Sequence, residues 1–185
     1  MGMPAQNTGW TAEMARALPE DGNRYEVLDG VLLVSPAPSF RHQRAVGLLF
    51  RILAPYTETN GIGETMMSPA DIELSPDQLL QPDVFVVPGE LTVTGAWKDV
   101  TRLLLAAEVI SPSSARTDRV EKRLKFQRER VPEYWIVDLD SRVFERWRPS
   151  DRRPEILSDE IVWRPDEKLP ALVIDLVRYF SDVWR

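Results

Sequence analysis

The sequence predicts an α/β fold in which a central β-sheet is flanked by helices. Three observations point to it. Leu103 to Ile110 is apolar at all but one position, as a strand covered on both faces requires. Asp29-Gly30 stands between two apolar-rich arms, the residue pair that closes a two-residue hairpin. Stretches of helical period and stretches of strand period also share the chain, which is the mark of layered α/β packing.

The elements follow in order. Thr11 to Ala17 predicts a short helix that ends before Pro19. Arg24 to Val34 predicts the hairpin, stopped by Pro36 and Pro38. Phe40 to Thr59 predicts a long helix, with Val46, Leu49, Phe50 and Leu53 at helical spacing and Pro55 kinking or fraying its end. Strands are expected over Gly63 to Met67, Ala70 to Leu74 and Asp83 to Val87, then over the apolar run from Leu103. Ser113 or Ser114 caps a charged helix that reaches about Arg130. Glu133 to Asp138 and Val143 to Arg148 predict a further hairpin. A polar region from Asp151 to Lys168 holds one short strand near Glu160 to Trp163, and Ile174 to Trp184 predicts a closing helix.

A chain of 185 residues favours a single domain over 1–185, with 1–10 as a flexible tail. It contains no cysteine, which excludes disulfides, thiolate metal sites and cysteine nucleophiles. The N-terminus lacks a basic start followed by an apolar stretch, and no apolar run approaches the roughly 18 residues needed to cross a bilayer. No membrane association is expected, and a cytoplasmic location is the default. A net charge of −6 argues weakly against non-specific coating of nucleic acid. Residues 116–130 nevertheless carry Arg116, Arg119, Lys122, Arg123, Lys125, Arg128 and Arg130. That helix either steers an anion locally or is a solvated, salt-bridged face. No GxGxxG, GxxxxGK[ST] or GxSxG occurs, so nucleotide cradles and serine-hydrolase elbows have no support.

Glu108 is the most informative residue. It lies among Leu103 to Ile110, where every neighbour is suited to burial, and an isolated carboxylate there costs several kcal/mol unless a cation meets it. Asp83 follows Gln81-Pro82 and opens the run Val84 to Val87. Proline suits a strand's first position, so Asp83 would stand at the mouth of the sheet. If the two strands are neighbours, their carboxylates converge and a divalent cation relieves the repulsion. Oxygen ligands without cysteine and with one histidine favour Mg²⁺ or Mn²⁺ over Zn²⁺. Asp118 and Lys122 follow at i, i+4 on the charged helix. The lysine either orients water and offsets charge on phosphorus or forms an ordinary surface pair. At about 100° per residue, Val120, Leu124 and Val131 form the apolar stripe with Lys122 opposite it, and Lys125 lies on the same side as a rival.

Taken together, Tyr25 to Gly30, Arg41-His42-Gln43, Gln81-Pro82-Asp83-Val84, Glu108 to Ser113, Asp118 with Lys122, and Val131 to Asp138 resemble the PD-(D/E)XK restriction-endonuclease-like superfamily. The likeness is to its endonuclease branch called Uma-two and covers about residues 10–180. It implies a restriction-endonuclease-like fold with a central mixed sheet, Asp83 and Glu108 as metal ligands, and Lys122 in the lysine role. Ile110 stands where the superfamily usually has its strand lysine, so the site depends on a lysine moved to the helix. Phe126 stands where the branch usually has tyrosine, leaving only a packing role there. Glu26, His42, Gln81 and Ser111 also match. Glu26 is either a supporting site residue or an exposed hairpin acid, and His42 either faces the site or caps the long helix.

The resulting expectation is a Mg²⁺- or Mn²⁺-dependent endonuclease acting on DNA. A non-catalytic nucleic-acid-binding or assembly module on the same fold is the alternative, and an interaction protein with Glu108 simply ion-paired is a third. Six tryptophans, among them Trp135, Trp147 and Trp163, fill the core or form the face of a homodimer.

Overall fold

The computed structural model describes residues 9–75, 77–112 and 114–185. The expected tail lies almost wholly outside them, as does Ser113 as a helix cap. Gly9 and Trp10 are described, and both backbone N–H groups donate to the Gly30 carbonyl.

Helix α1 (Ala12–Arg16) begins at Thr11, whose hydroxyl accepts the Met14 N–H. Strands β1 (Arg24–Leu28) and β2 (Val31–Ser35) form the expected hairpin. Asp29 and Gly30 have φ of 48° and 74°, the double positive φ that matches the twist of two antiparallel strands. Helix α2 (Phe40–Thr59) starts at Ser39, which caps the His42 N–H. Pro55 does not end it, because Leu53, Ala54 and Thr57 remain buried and hold the last turn in place.

Strands β3 (Gly63–Met67), β4 (Ile72–Ser75), β5 (Gln78–Leu80), β6 (Val84–Pro88) and β7 (Leu105–Ile110) follow. The three residues of β5 are too few to show a period, and that strand was not expected. A π-helical segment (Thr117–Lys122) runs into α3 (Arg123–Arg128). Then come β8 (Glu133–Asp138), β9 (Val143–Trp147), β10 (Glu155–Leu157), β11 (Glu160–Trp163), β12 (Leu172–Asp175) and α4 (Leu176–Trp184). The closing helix therefore starts after Ile174. Leu172 to Asp175 pairs with β11 instead, and Asp175 caps α4 by accepting the Arg178 N–H.

The main sheet is mixed, in the order β10-β9-β8-β7-β6-β3. Only β7 and β8 run parallel within it, and the helical segment 117–128 makes the crossover that parallel neighbours require. A second sheet has the order β2-β1-β5-β4, and β11-β12 form a two-stranded ribbon. Every residue of β7 is buried. Its odd positions, Leu105, Ala107 and Val109, join a core with α2 and α4. Ala106 and Ile110 join a second core with Phe126, Tyr134 and residues of the smaller sheet. This is the doubly covered central strand that its apolar run predicts. Trp135 and Trp163 belong to the first core and Trp147 to the second, so these three do not form a dimer face. Among the described residues no helix is long and apolar enough to cross a membrane.

Candidate active site

Strands β6 and β7 are antiparallel neighbours with Val84 opposite Ala107. One step further along that register, Asp83 stands opposite Glu108. Side chains alternate between faces, and Phe85 and Val87 share a core with Ala106 and Ile110, so Asp83 and Glu108 belong to that same face. The Asp83 Oδ2 accepts the Val109 N–H at 2.8 Å, which ties the end of β6 to the residue after Glu108.

The helix after β7 brings its lysine to the same point. Lys122 Nζ lies 2.9 Å from Glu108 Oε1, 2.9 Å from Glu26 Oε2 and 3.6 Å from Asp118 Oδ1. The expected apolar stripe is therefore not the buried face. Val120 and Leu124 are 44% and 38% exposed, whereas Lys122 is 2% exposed and Asp118 and Phe126 are buried with it. A count at about 100° per residue still holds, since the buried Asp118, Lys122, Lys125 and Phe126 share one face opposite Val120 and Leu124, even though the Arg123 N–H bonds the Asp118 carbonyl five residues back; the face turned inward is the polar one. Glu26 and Glu108 beneath the helix and Asp118 one turn back along it supply the favourable partners that a buried ammonium needs. Lys125 instead pairs with Glu129 at 2.8 Å and takes no part in the cluster. Phe126 packs at 4.8 Å between ring centroids against Tyr134, whose hydroxyl donates to the Asp118 carbonyl.

The other matched residues also converge. Glu26 is a buried site acid, not an exposed hairpin acid, and its Oε1 accepts the Gln81 N–H at 2.8 Å. Gln81 thus supports Glu26 through its backbone, while its side-chain amide donates to Asp71. His42 lies in the first turn of α2, as expected, but its Nε2 sits 3.1 Å from Asp83 Oδ2. Arg24 is the residue that the sequence reading missed. Its Nη1 donates to Asp83 Oδ1 at 2.8 Å and its Nε lies 3.7 Å from Glu26 Oε2. A signal was present, since Arg24 precedes Glu26 by two positions on one strand and must share its face.

The charges are strongly coupled. Burial raises the Glu108 carboxyl well above its ordinary value; Lys122 opposes this, and the neighbouring Asp83, Asp118 and Glu26 add to it. Burial also raises Asp118, against the pull of Lys122 and a hydrogen bond from Ser114. Burial works against ionisation of Asp83 too, but His42, Arg24 and the Val109 N–H outweigh it and hold that carboxyl below the usual range. Lys122 is disfavoured by burial, yet Glu108, Glu26 and Asp118 together raise it, so it carries its proton at neutral pH.

Asp83, Glu108, Asp118, Gln81, Arg24 and His42 line a cleft of about 860 Å³, with Glu26 and Lys122 behind them. The basic helix is mostly neutralised within the protein. Arg119 bonds Asp138 and Glu145, Arg128 pairs with Asp29, and Arg123 lies over the Trp147 ring. Arg16, Arg24 and Arg41 line the cleft, but so do more acidic residues, and Arg16 pairs with Asp71 and Glu73, Arg24 with Asp83, while Arg41 lies over the Trp184 ring.

Toward a divalent cation the site gives two answers. Among the described residues no group of three or more His, Asp or Glu side chains is disposed to hold a metal ion. Yet four carboxyl groups, Glu26, Asp83, Glu108 and Asp118, gather around two cations, Arg24 and Lys122, so that full ionisation would leave two negative charges in excess, which is why burial and mutual repulsion raise Glu108 and Asp118. Carboxylate oxygens with that surplus suit a hard divalent ion, and Asp83 and Glu108 are the pair that would hold it.

A solved structure from Anabaena variabilis, described as a "putative nuclease", shares this fold with a TM-score of 0.74. It is 16% identical, and the match covers 94% of this chain and 99% of that one. No curated protein matches the sequence. The Uma2 family, described as "Putative restriction endonuclease", matches residues 12–177. That span includes every residue of the cluster and most of the chain, so the protein belongs to the Uma2 family.

Proposed function

We propose that this protein is a divalent-metal-dependent endonuclease that hydrolyses DNA phosphodiester bonds with Mg²⁺ or Mn²⁺. One observation carries the reading: two carboxylates from adjacent strands and a protonated lysine meet at the edge of an open cleft. Membership of a family described as restriction endonuclease supports it.

In this reading Asp83 and Glu108 hold the cation. When bound, it supplies Lewis acidity and a lowered pKa for its water. Lys122 acts as a charged donor, since its raised pKa keeps the ammonium form. Its amine is held by Glu26 and Glu108 behind the cleft, so it would orient the attacking water and offset negative charge on the phosphate on release from Glu108. Glu26 and Asp118 pin its amine beside Glu108, and His42 orients Asp83. Arg41, which lies over the Trp184 ring and lines the cleft, would meet a phosphate of the DNA backbone, a local contribution on a chain of net charge −6.

The test is incubation of folded protein with supercoiled plasmid, duplex, single-stranded DNA and RNA in Mg²⁺ or Mn²⁺. Cleavage of DNA by the parent, and its loss in Asp83→Ala, Glu108→Ala and Lys122→Ala, is expected. No cleavage by the parent, or equal cleavage by the three variants, overturns it.

A second reading is a non-catalytic nucleic-acid-binding or assembly module. Its specific support is that both oxygens of Asp83 already have protein partners in Arg24, His42 and the Val109 N–H. Calorimetry separates the two. Absence of Mn²⁺ binding, with Asp83→Ala behaving as the parent, favours the module.

A further inference from the structure

Arg24 makes the closest side-chain ion pair with Asp83. Its Nη1 is 2.8 Å from Asp83 Oδ1 and 3.3 Å from the Gln81 carbonyl oxygen, and its Nε is 3.7 Å from Glu26 Oε2. The two cations of the cluster differ in freedom. The Lys122 side chain is 3% exposed and lies among three carboxylates. The Arg24 side chain is 24% exposed and lines the cleft, so it has open space to move into. Arg24 therefore places positive charge on one oxygen of the carboxylate proposed as a cation ligand.

We infer that Arg24 is a displaceable counter-ion, which compensates Asp83 when no divalent cation is bound and competes with that cation for Asp83. This rests on the metal reading under Proposed function. Without a cation, losing Arg24 leaves Asp83 with one partner fewer in a site where carboxylates already outnumber cations, and a buried charge stripped of its partner is costly. With a cation, the same loss removes a competitor and a repelling charge. A purely structural arginine behaves differently, because its removal would loosen the site and weaken cation binding.

The experiment is Mn²⁺ titration by calorimetry on metal-stripped parent, Arg24→Gln and Arg24→Lys, with thermal unfolding of each in the presence and absence of Mn²⁺. A hydrogen bond between charged groups corresponds to about 10- to 100-fold in an equilibrium constant. Arg24→Gln is expected to bind Mn²⁺ about 10- to 100-fold more tightly than the parent. It should melt below the parent without metal and gain more from saturating Mn²⁺. Arg24→Lys, which keeps the charge but loses the planar fork, should fall between them and serves if the glutamine variant does not fold. Equal or weaker Mn²⁺ binding by the variants overturns the inference while leaving the metal reading intact. No binding heat from parent or variants overturns both.

Discussion

Replacing Lys122 with methionine isolates the charge at the centre of the cluster. Methionine keeps most of the apolar stem, so packing changes little. The ammonium makes two hydrogen bonds of 2.9 Å to buried carboxylates, and both are lost. Removing one partner of a buried ion pair costs about 3–5 kcal/mol, and two charge-assisted bonds at about 1.5–3 kcal/mol each give a similar range. For a protein of this size that corresponds to a fall of about 6–20 °C in Tm. The loss should depend on pH. Without Lys122, the already raised Glu108 carboxyl rises further, because the main influence lowering it has gone. A group with a raised folded-state pKa stabilises the fold fully below its unfolded pKa, and that contribution is lost as pH rises through the folded value. The deficit of Lys122→Met is therefore smallest near the ordinary carboxylate range and widens toward pH 8. Urea unfolding of parent and variant at several pH values measures it. Adding Glu26→Gln to the variant removes one stranded carboxylate and should restore part of the loss, a non-additivity expected within one network. A single variant within about 1 kcal/mol of the parent at pH 8, with no pH trend, would refute the view that Lys122 is a buried electrostatic link.

Cation binding should be coupled to proton release, because Glu108 must be ionised to act as a ligand and its carboxyl is raised. Between the ordinary carboxylate range and that raised value, Mn²⁺ affinity should increase with pH, and the binding heat should vary with the buffer's ionisation enthalpy; identical heats across buffers would contradict this. At Gly63, where β3 begins, φ is 153° and a Cβ would lie 2.0 Å from the Val87 carbonyl oxygen. Gly63→Ala should cost about 1–3 kcal/mol or more in urea unfolding, as the β3–β6 edge shifts to relieve the clash, and a neutral result would show that this edge yields freely.

Much of the architecture was legible in the sequence because its causes are local. Asp29-Gly30 closes the hairpin through the φ values those residues tolerate. Phe40 and Thr59 bound α2, as its apolar period indicates. An apolar run interrupted only by Glu108 marked β7 as central, and a proline before Asp83 marked the mouth of β6. β5 and β12 were hidden because three or four residues carry too little period to oppose a neighbouring signal.

What the residues by themselves determined was that Glu108 needs a cation beside it, since an acid inside a buried strand requires one wherever the chain folds, whereas the placing of Asp83 opposite it followed from strand order. The choice of that cation was made only in three dimensions. Lys122 bonds Glu26 across 96 positions of sequence, and the polar face of its helix turns inward while Val120 and Leu124 stay exposed. Glu26, His42 and Arg24 enter the site for the same reason: a charged group is stable under cover only beside its opposite, and distant segments bring that opposite into place.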